Sequence, residues 1–284
     1  MDAASQADNE QSTLWNGLAG RAWVEMQDLL DRVLKPFEDL LVEAVFATSQ
    51  GRVLDVGCGT GGTTLAVARS LRTRGHGTGI DISDPMIAAA RARAEREGTP
   101  AAFICADAQT HAFEPASFDT IISRFGVMFF DDSVRAFANL RRAARDDAEL
   151  RFVAWRSPSE NPFMTTAERA AAPLLPAMPP RRPDGPGQFA LADEKRVRRI
   201  LEDSGWRDVD IQPIDVPCVL PEKELGRYVM RLGPVGMILQ DADEPTRARV
   251  GEVVRAAFEP YVQGTQVRFT AACWRVISYQ VQRY

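Results

Sequence analysis

Ten residues, Val53-Leu54-Asp55-Val56-Gly57-Cys58-Gly59-Thr60-Gly61-Gly62, limit what this chain can fold into more than any other stretch. Val53 to Val56 reads as a short buried strand, the glycines as a tight turn, and Thr63 to Ser70 as the helix that leaves it. Glycine is required where the backbone takes dihedrals closed to other residues, or comes nearer a ligand than a Cβ allows. Its density here, between strand and helix, points to a nucleotide cradle. Gly57, Gly59 and Gly62 satisfy G-x-G-x-x-G, which leaves a dinucleotide and a nucleoside-type cofactor both open.

Acids at three strand ends narrow the choice. Asp55 stands two residues before the first glycine, where a carboxylate repels a pyrophosphate but attracts the sulfonium and ammonium of S-adenosylmethionine. Thr78-Gly79-Ile80-Asp81 reads as the second strand, and an acid at its tip can accept from both ribose hydroxyls. Ala101 to Ala108 reads as the third strand and its exit, where Asp107 can accept from an adenine amino group beside a backbone N–H. A nicotinamide dehydrogenase, the competing reading, has no need of the third acid.

Val53 to Gly61 resembles the first motif of the class I S-adenosylmethionine-dependent methyltransferases, Ala106-Asp107-Ala108 their adenine motif, and Phe118-Asp119-Thr120-Ile121-Ile122-Ser123 their fourth strand. The likeness runs from about Arg52 to Trp155 and is most similar to the ubiquinone and menaquinone type. It implies an α/β fold, a Rossmann-like seven-stranded mixed sheet with helices on both faces, an N-terminal helical cap and an inserted helical lid. It implies cofactor contacts from Asp55, Gly57, Cys58, Gly59, Gly61, Asp81, Ile82, Asp107, Ala108, Ser123 and Arg124. Trp15 and Trp23, in a segment that resembles the family's lead-in, are expected to cover the cofactor or to serve as packing anchors. Arg124 is expected to pair with the methionine carboxylate or with a neighbouring acid. Arg124-Phe125 replaces the Asn-Pro-Pro-Tyr ending of many enzymes that methylate amide or base nitrogens, which disfavours those substrates. Phe125, Met128, Trp155 and Tyr228 are expected at the acceptor.

A chain of 284 residues, 45% hydrophobic, can bury one large core and carry accessory elements. The expected division is a helical cap over 1–50, the cofactor core over 51–156, a proline-rich insertion over 157–190, and completion of the core over 191–284 with lid helices at 222–263. A net charge of −5 argues against binding phosphate backbones, so no nucleic-acid partner is expected. Cys58, Cys105, Cys218 and Cys273 are unpaired in spacing, as reduced core thiols would be, and no metal is expected. No apolar run is long enough to span a bilayer and no signal segment is visible, so the expected setting is the cytoplasm, with no membrane partner.

Local expectations follow from pattern. Met1 to Ser12 reads as frayed, and Leu30, Val33, Leu34 and Phe37 mark a buried helical stripe. Asp84 and Ser133 read as helix caps, the second with Val134, Phe137 and Ala138 inward. Trp206 to Val219 reads as a marginal strand broken by Pro213 and Pro217, and Val267 to Val276 as a closing antiparallel strand. Eight of the chain's 18 prolines fall between Arg156 and Ala190, in a substrate loop or a loose connection.

Methyl transfer from a sulfonium is an in-line displacement that proximity alone can drive. For a phenol or alcohol acceptor a base helps, and His111 is the histidine near the expected face; His76 reads as a surface residue. The function so read is transfer of a methyl group to an oxygen or carbon of a small apolar or aromatic metabolite. Its alternative is an S-adenosylmethionine-binding protein that does not methylate, and a homodimer is an open possibility for either.

Overall fold

The computed structural model describes residues 3–48, 51–175 and 185–280. The sheet runs in the order β3-β2-β1-β4-β5-β8-β6. Its first five strands, β1 (Gly51–Val56), β2 (Gly75–Asp81), β3 (Ala101–Cys105), β4 (Phe118–Arg124) and β5 (Ala144–Trp155), are parallel. Their near-continuous apolar runs are what a sheet covered on both faces demands. β6 (Arg207–Pro221) and β8 (Gln266–Tyr279) close it antiparallel, and the two-residue β7 (Val262–Gln263) hairpins onto β8. That hairpin makes eight strands where seven were expected. Strand order reverses between β1 and β4, which opens a crevice above their carboxyl ends.

Helices α5 (Gly62–Leu71), α6 (Asp84–Glu97) and α7 (Ser133–Ala143) link the parallel strands, and α9 (Glu194–Asp203) leads into β6. Four helices precede the sheet: α1 (Ala3–Asn16), α2 (Leu18–Glu25), α3 (Gln27–Val33) and α4 (Lys35–Thr48). The stripe Leu30, Val33, Leu34 and Phe37 is buried although the helix breaks at Leu34, one residue before the Lys35-Pro36 start of α4. The remaining helices, α8 (Pro162–Ala171), α10 (Leu225–Arg231), α11 (Gly233–Leu239) and α12 (Glu244–Ala257), lie in the two stretches outside the shared core. Trp206 is wholly buried beneath α7, its indole N–H donating to Phe137 O at 3.0 Å.

Several local expectations are corrected. Residues 3–12 are helical, not frayed, in keeping with their Ala, Gln and Glu content. The cap of α6 is Ser83, whose hydroxyl accepts from Met86 N, and the cap of α7 is Asp132, which accepts from Arg135 N at 2.9 Å. Val134 and Ala138 are exposed; Ala136, Phe137, Leu140 and Ala143 form the inward face. β6 is unbroken from Asp210 to Pro221 because it is the outermost strand: prolines four residues apart share one phase, so the N–H groups they lack would point away from β8. The proline-rich stretch contains α8, while Pro179, Pro180, Pro183 and Asp184 lie outside the described residues. The lid has three helices where two were expected. Cys58, Cys218 and Cys273 are buried free thiols, but Cys105 is exposed at the end of β3. Among the described residues no helix is long and apolar enough to cross a membrane.

Candidate cofactor and acceptor site

The glycine turn sits where the sheet order reverses. Gly57 has φ +66°, and a Cβ there would lie 2.5 Å from the Cα of Gly126, so the tips of β1 and β4 touch main chain to main chain. Gly59 is uncrowded, but its φ of +55° is left-handed and its N–H points at Asp81, donating to Oδ2 at 2.8 Å. The other carboxylate oxygen of Asp81 accepts from Ser83 N at 2.9 Å. Asp81 thus fastens the turn after β1 to the turn after β2. Burial raises its pKa, opposed by these two N–H bonds.

Asp55 is sealed between β1 and α5. Thr64 Oγ1 donates to its Oδ2 at 2.6 Å, while Oδ1 is buried without a hydrogen-bond partner. Burial pushes this carboxyl up to about 7; the bond from Thr64 and the charge of Arg124 oppose the rise, and Asp81 and Glu38 add to it. Arg124 follows the register partner of Asp55, Ile122, by two residues on β4, and therefore shares its face of the sheet. Arg124 Nη1 is buried and also lacks a partner. A buried orphan acceptor on an acid and a buried orphan donor on a base, set on adjacent strands, suit the ammonium and carboxylate of an amino-acid group. Cys58 next to them is held as a neutral thiol by burial.

The N-terminal helices roof the strand tips. Asn16 Nδ2 donates to Ile82 O at 3.1 Å, Asn16 Oδ1 accepts from Asp84 N at 2.8 Å, and Ser83 Oγ donates to Trp15 O at 2.6 Å. Trp15 meets Phe129 edge-on at 5.0 Å and Trp23 at 6.2 Å. Asp107 turns the chain after β3, with Oδ1 accepting from Gln109 N at 2.8 Å.

Beside these groups lies a cavity of about 760 Å³. Of the residues expected at the cofactor, Gly57, Cys58, Gly59, Asp81, Ile82, Asp107, Ala108 and Arg124 line it, as do Trp15 and Trp23. The four expected at the acceptor, Phe125, Met128, Trp155 and Tyr228, line the same cavity. Phe125 stacks on Trp155 at 4.5 Å and 8°, which makes a flat aromatic wall. Helices α8, α10 and α11 add Phe163, Met164, Val229 and Met237 to the lining.

Four expected residues are not on the lining. Asp55 lies behind it, and Gly61 packs against Phe103 and Ala90. Ser123 is wholly buried: its hydroxyl donates to Val56 O at 2.7 Å and accepts from Gly126 N and Val127 N, so it ties β1 to the turn after β4. His111 stands edge-on to Phe113 at 4.7 Å, with its carbonyl accepting from Asn139, away from the cavity. Asn16, Asp31 and Gln109 were not foreseen. Asp31 lines the cavity while paired to Arg93 at 2.6 Å, and Gln109 lines it while its side chain accepts from Asp132 N. The Trp-Asn-Gly run carried the signal for Asn16. Among the described residues no cluster of His, Cys, Asp and Glu can hold a metal ion.

Residues 53–147 match the model of the methyltransferase domain family. The chain is 35% identical over 104 residues to aklanonic acid methyltransferase DauC of Streptomyces sp. (strain C5), covering 36% of this chain and 47% of that one. It is 31% identical over 144 residues to demethylmenaquinone methyltransferase of Thermus thermophilus, covering 48% and 64%. It spans about half the length of the curated relatives it matches. Among solved structures, YcgJ of Bacillus subtilis shares the fold with a TM-score of 0.57 at 18% identity, over 88% of this chain and 100% of that one. Residues 53–147 are thus similar to a methyltransferase domain, and they lie in an α/β fold whose strand order reverses beside the glycine turn.

Proposed function

We propose that this protein transfers a methyl group from S-adenosylmethionine to an oxygen or carbon of a small apolar or aromatic acceptor. The observation that carries the reading is one cavity bordered at once by the acidic strand tips Asp81 and Asp107, with Asp55 behind its lining, and by the aromatic wall under the inserted helices. Its volume of about 760 Å³ suits a nucleoside cofactor and a small acceptor side by side. In this reading residues 1–50 roof the cofactor, 51–156 hold it, and the stretches 157–190 and 222–263 shape the acceptor side.

When bound, the cofactor supplies an electrophilic methyl on a sulfonium whose departure leaves a neutral thioether. Asp81 would hold the ribose with the lone pairs that Gly59 and Ser83 leave open, and Asp107 with Ala108 the adenine edge. Arg124 would take the carboxylate of the amino-acid end, and the charge of Asp55, from behind the lining, would draw its ammonium. Trp15 and Trp23 exclude water from above, and the Phe125–Trp155 stack orients a flat acceptor so that nucleophile and methyl lie close and aligned. His111, away from the cavity, has no part in this account.

Calorimetry with S-adenosylmethionine and S-adenosylhomocysteine, together with incubation of labelled cofactor and a metabolite extract, tests the reading. Heat with both ligands and label in an organic product are expected. Absence of heat with either, with Asp81→Ala indistinguishable from wild type, would overturn it; tight binding without labelled product would instead indicate a protein that does not methylate.

A further inference from the structure

We propose that Tyr228 is the polar anchor of the acceptor: its hydroxyl donates the hydrogen bond that selects an uncharged ring system bearing an oxygen. The inference rests on the methyltransferase reading above and adds the chemical class of molecule that the acceptor side takes. Tyr228 projects from α10, lines the cavity, and its hydroxyl has no hydrogen-bond partner among the described residues. Its surroundings are aromatic. Phe163 lies 6.3 Å from its ring, and Phe163 is itself stacked face to face on Phe269 at 3.8 Å.

Tyr228 is half-buried, and an acceptor that covers its phenol strips it of water, which is unfavourable unless the acceptor takes its hydrogen bond, since no described residue does. The charged side chains at this end are already engaged: Arg231 is paired with Glu25 at 2.9 Å, and Glu168 has a partner of its own. With Arg124 given to the amino-acid carboxylate of the cofactor in the reading above, a carboxylate on the acceptor would find no free cation among the described residues at this end, whereas a carbonyl, ether or hydroxyl oxygen would complete Tyr228. Burial pushes the Tyr228 phenol up to about 12, so it remains protonated at neutral pH and acts as a donor, not as a base. A pocket built around one unsatisfied donor rejects an analogue that lacks the matching acceptor, because the donor is then left buried and unpaired.

The probes are 1-tetralone and tetralin, one carbon skeleton with and without the carbonyl, titrated by calorimetry into protein saturated with S-adenosylhomocysteine. Wild type is expected to prefer 1-tetralone about tenfold, the worth of one buried neutral hydrogen bond. Tyr228→Phe, with unchanged melting temperature and unchanged S-adenosylhomocysteine affinity, is expected to bind the two alike. Equal affinities in wild type, a preference retained by Tyr228→Phe, or binding of neither probe would overturn the assignment. Failure of wild type to bind S-adenosylhomocysteine would fall on the cofactor reading instead, which separates the two.

Discussion

Asp55 is placed under opposing demands. A carboxyl in an unfolded chain titrates near about 3.9, and burial behind the glycine turn pushes this one up to about 7. The folded state therefore binds this proton more tightly than the unfolded state. Asp55's contribution to stability is fully present below about pH 4 and is lost as pH rises towards about 7, after which it is flat. Asp55→Asn has no such slope. In urea titrations wild type is expected to lose up to about 4 kcal/mol relative to Asp55→Asn between pH 4 and pH 8, and a constant difference would count against the shift. A cation beside Oδ1 draws the ionised form, so affinity for S-adenosylmethionine is expected to rise with pH up to about 7. Near pH 6.5 binding should release a proton, measurable as a dependence of the calorimetric heat on buffer ionisation enthalpy. Asp81 has a different balance: Asp81→Ala removes the acceptor for two backbone N–H groups at a cost of about 1–3 kcal/mol each, so melting temperature and S-adenosylhomocysteine affinity should fall together. Position in the sequence was enough to put Asp81 and Asp107 on the cavity, because a strand end aims its acid at the crevice, but not to show that Asp55 lies behind the lining. It was not enough to separate Ser123, which points back into the fold and bonds Val56, from Arg124 beside it.

At the scale of elements, the N-terminal roof hangs on few bonds. Asn16 spans 66 residues to reach Ile82 and also meets Asp84, and Ser83 bonds back to Trp15. None of these contacts belongs to the core, so they govern opening of the roof more than unfolding of the sheet. Asn16→Ala is expected to speed S-adenosylhomocysteine release about tenfold in stopped-flow measurements, with a melting temperature within a few degrees of wild type. Equal release rates would show that the roof is held by packing alone. Helix stripes such as Leu30 to Phe37 were legible from spacing, since the period of an amphipathic helix survives a break of one residue. The start of α1 was not, because a polar helix carries no apolar stripe. The caps of α6 and α7 slipped by one position, as Ser83 and Asp84, or Asp132 and Ser133, are equally able to cap. Pro213 and Pro217 marked β6 correctly as a marginal strand but do not break it, because on an outer strand the missing N–H faces no neighbour.

For the whole molecule, the question is how a ligand enters a cavity covered from two sides. The roof from the N-terminal helices and the lid from α10 and α11 meet at Glu25, the last residue of α2: Arg231 pairs with its carboxylate at 2.9 Å, and Arg227 Nη2 donates to its carbonyl at 2.8 Å. These side chains are about half exposed, and such pairs contribute only about 0–1 kcal/mol. That weakness suits a seam that must part at each exchange of ligand, while the sheet beneath, with its wholly buried Trp206 and Phe152, stays intact. If the Glu25 contacts hold the seam, salt should weaken it by screening. Release of S-adenosylhomocysteine from wild type is then expected to quicken about threefold between 50 mM and 500 mM sodium chloride, close to the factor that a loss of about 0.6 kcal/mol gives. Glu25→Gln should release at the fast rate at both salt concentrations, with an unchanged melting temperature. A variant that retains the salt dependence of wild type would remove Glu25 from the seam and leave the apolar contact between roof and lid as what holds the cavity shut.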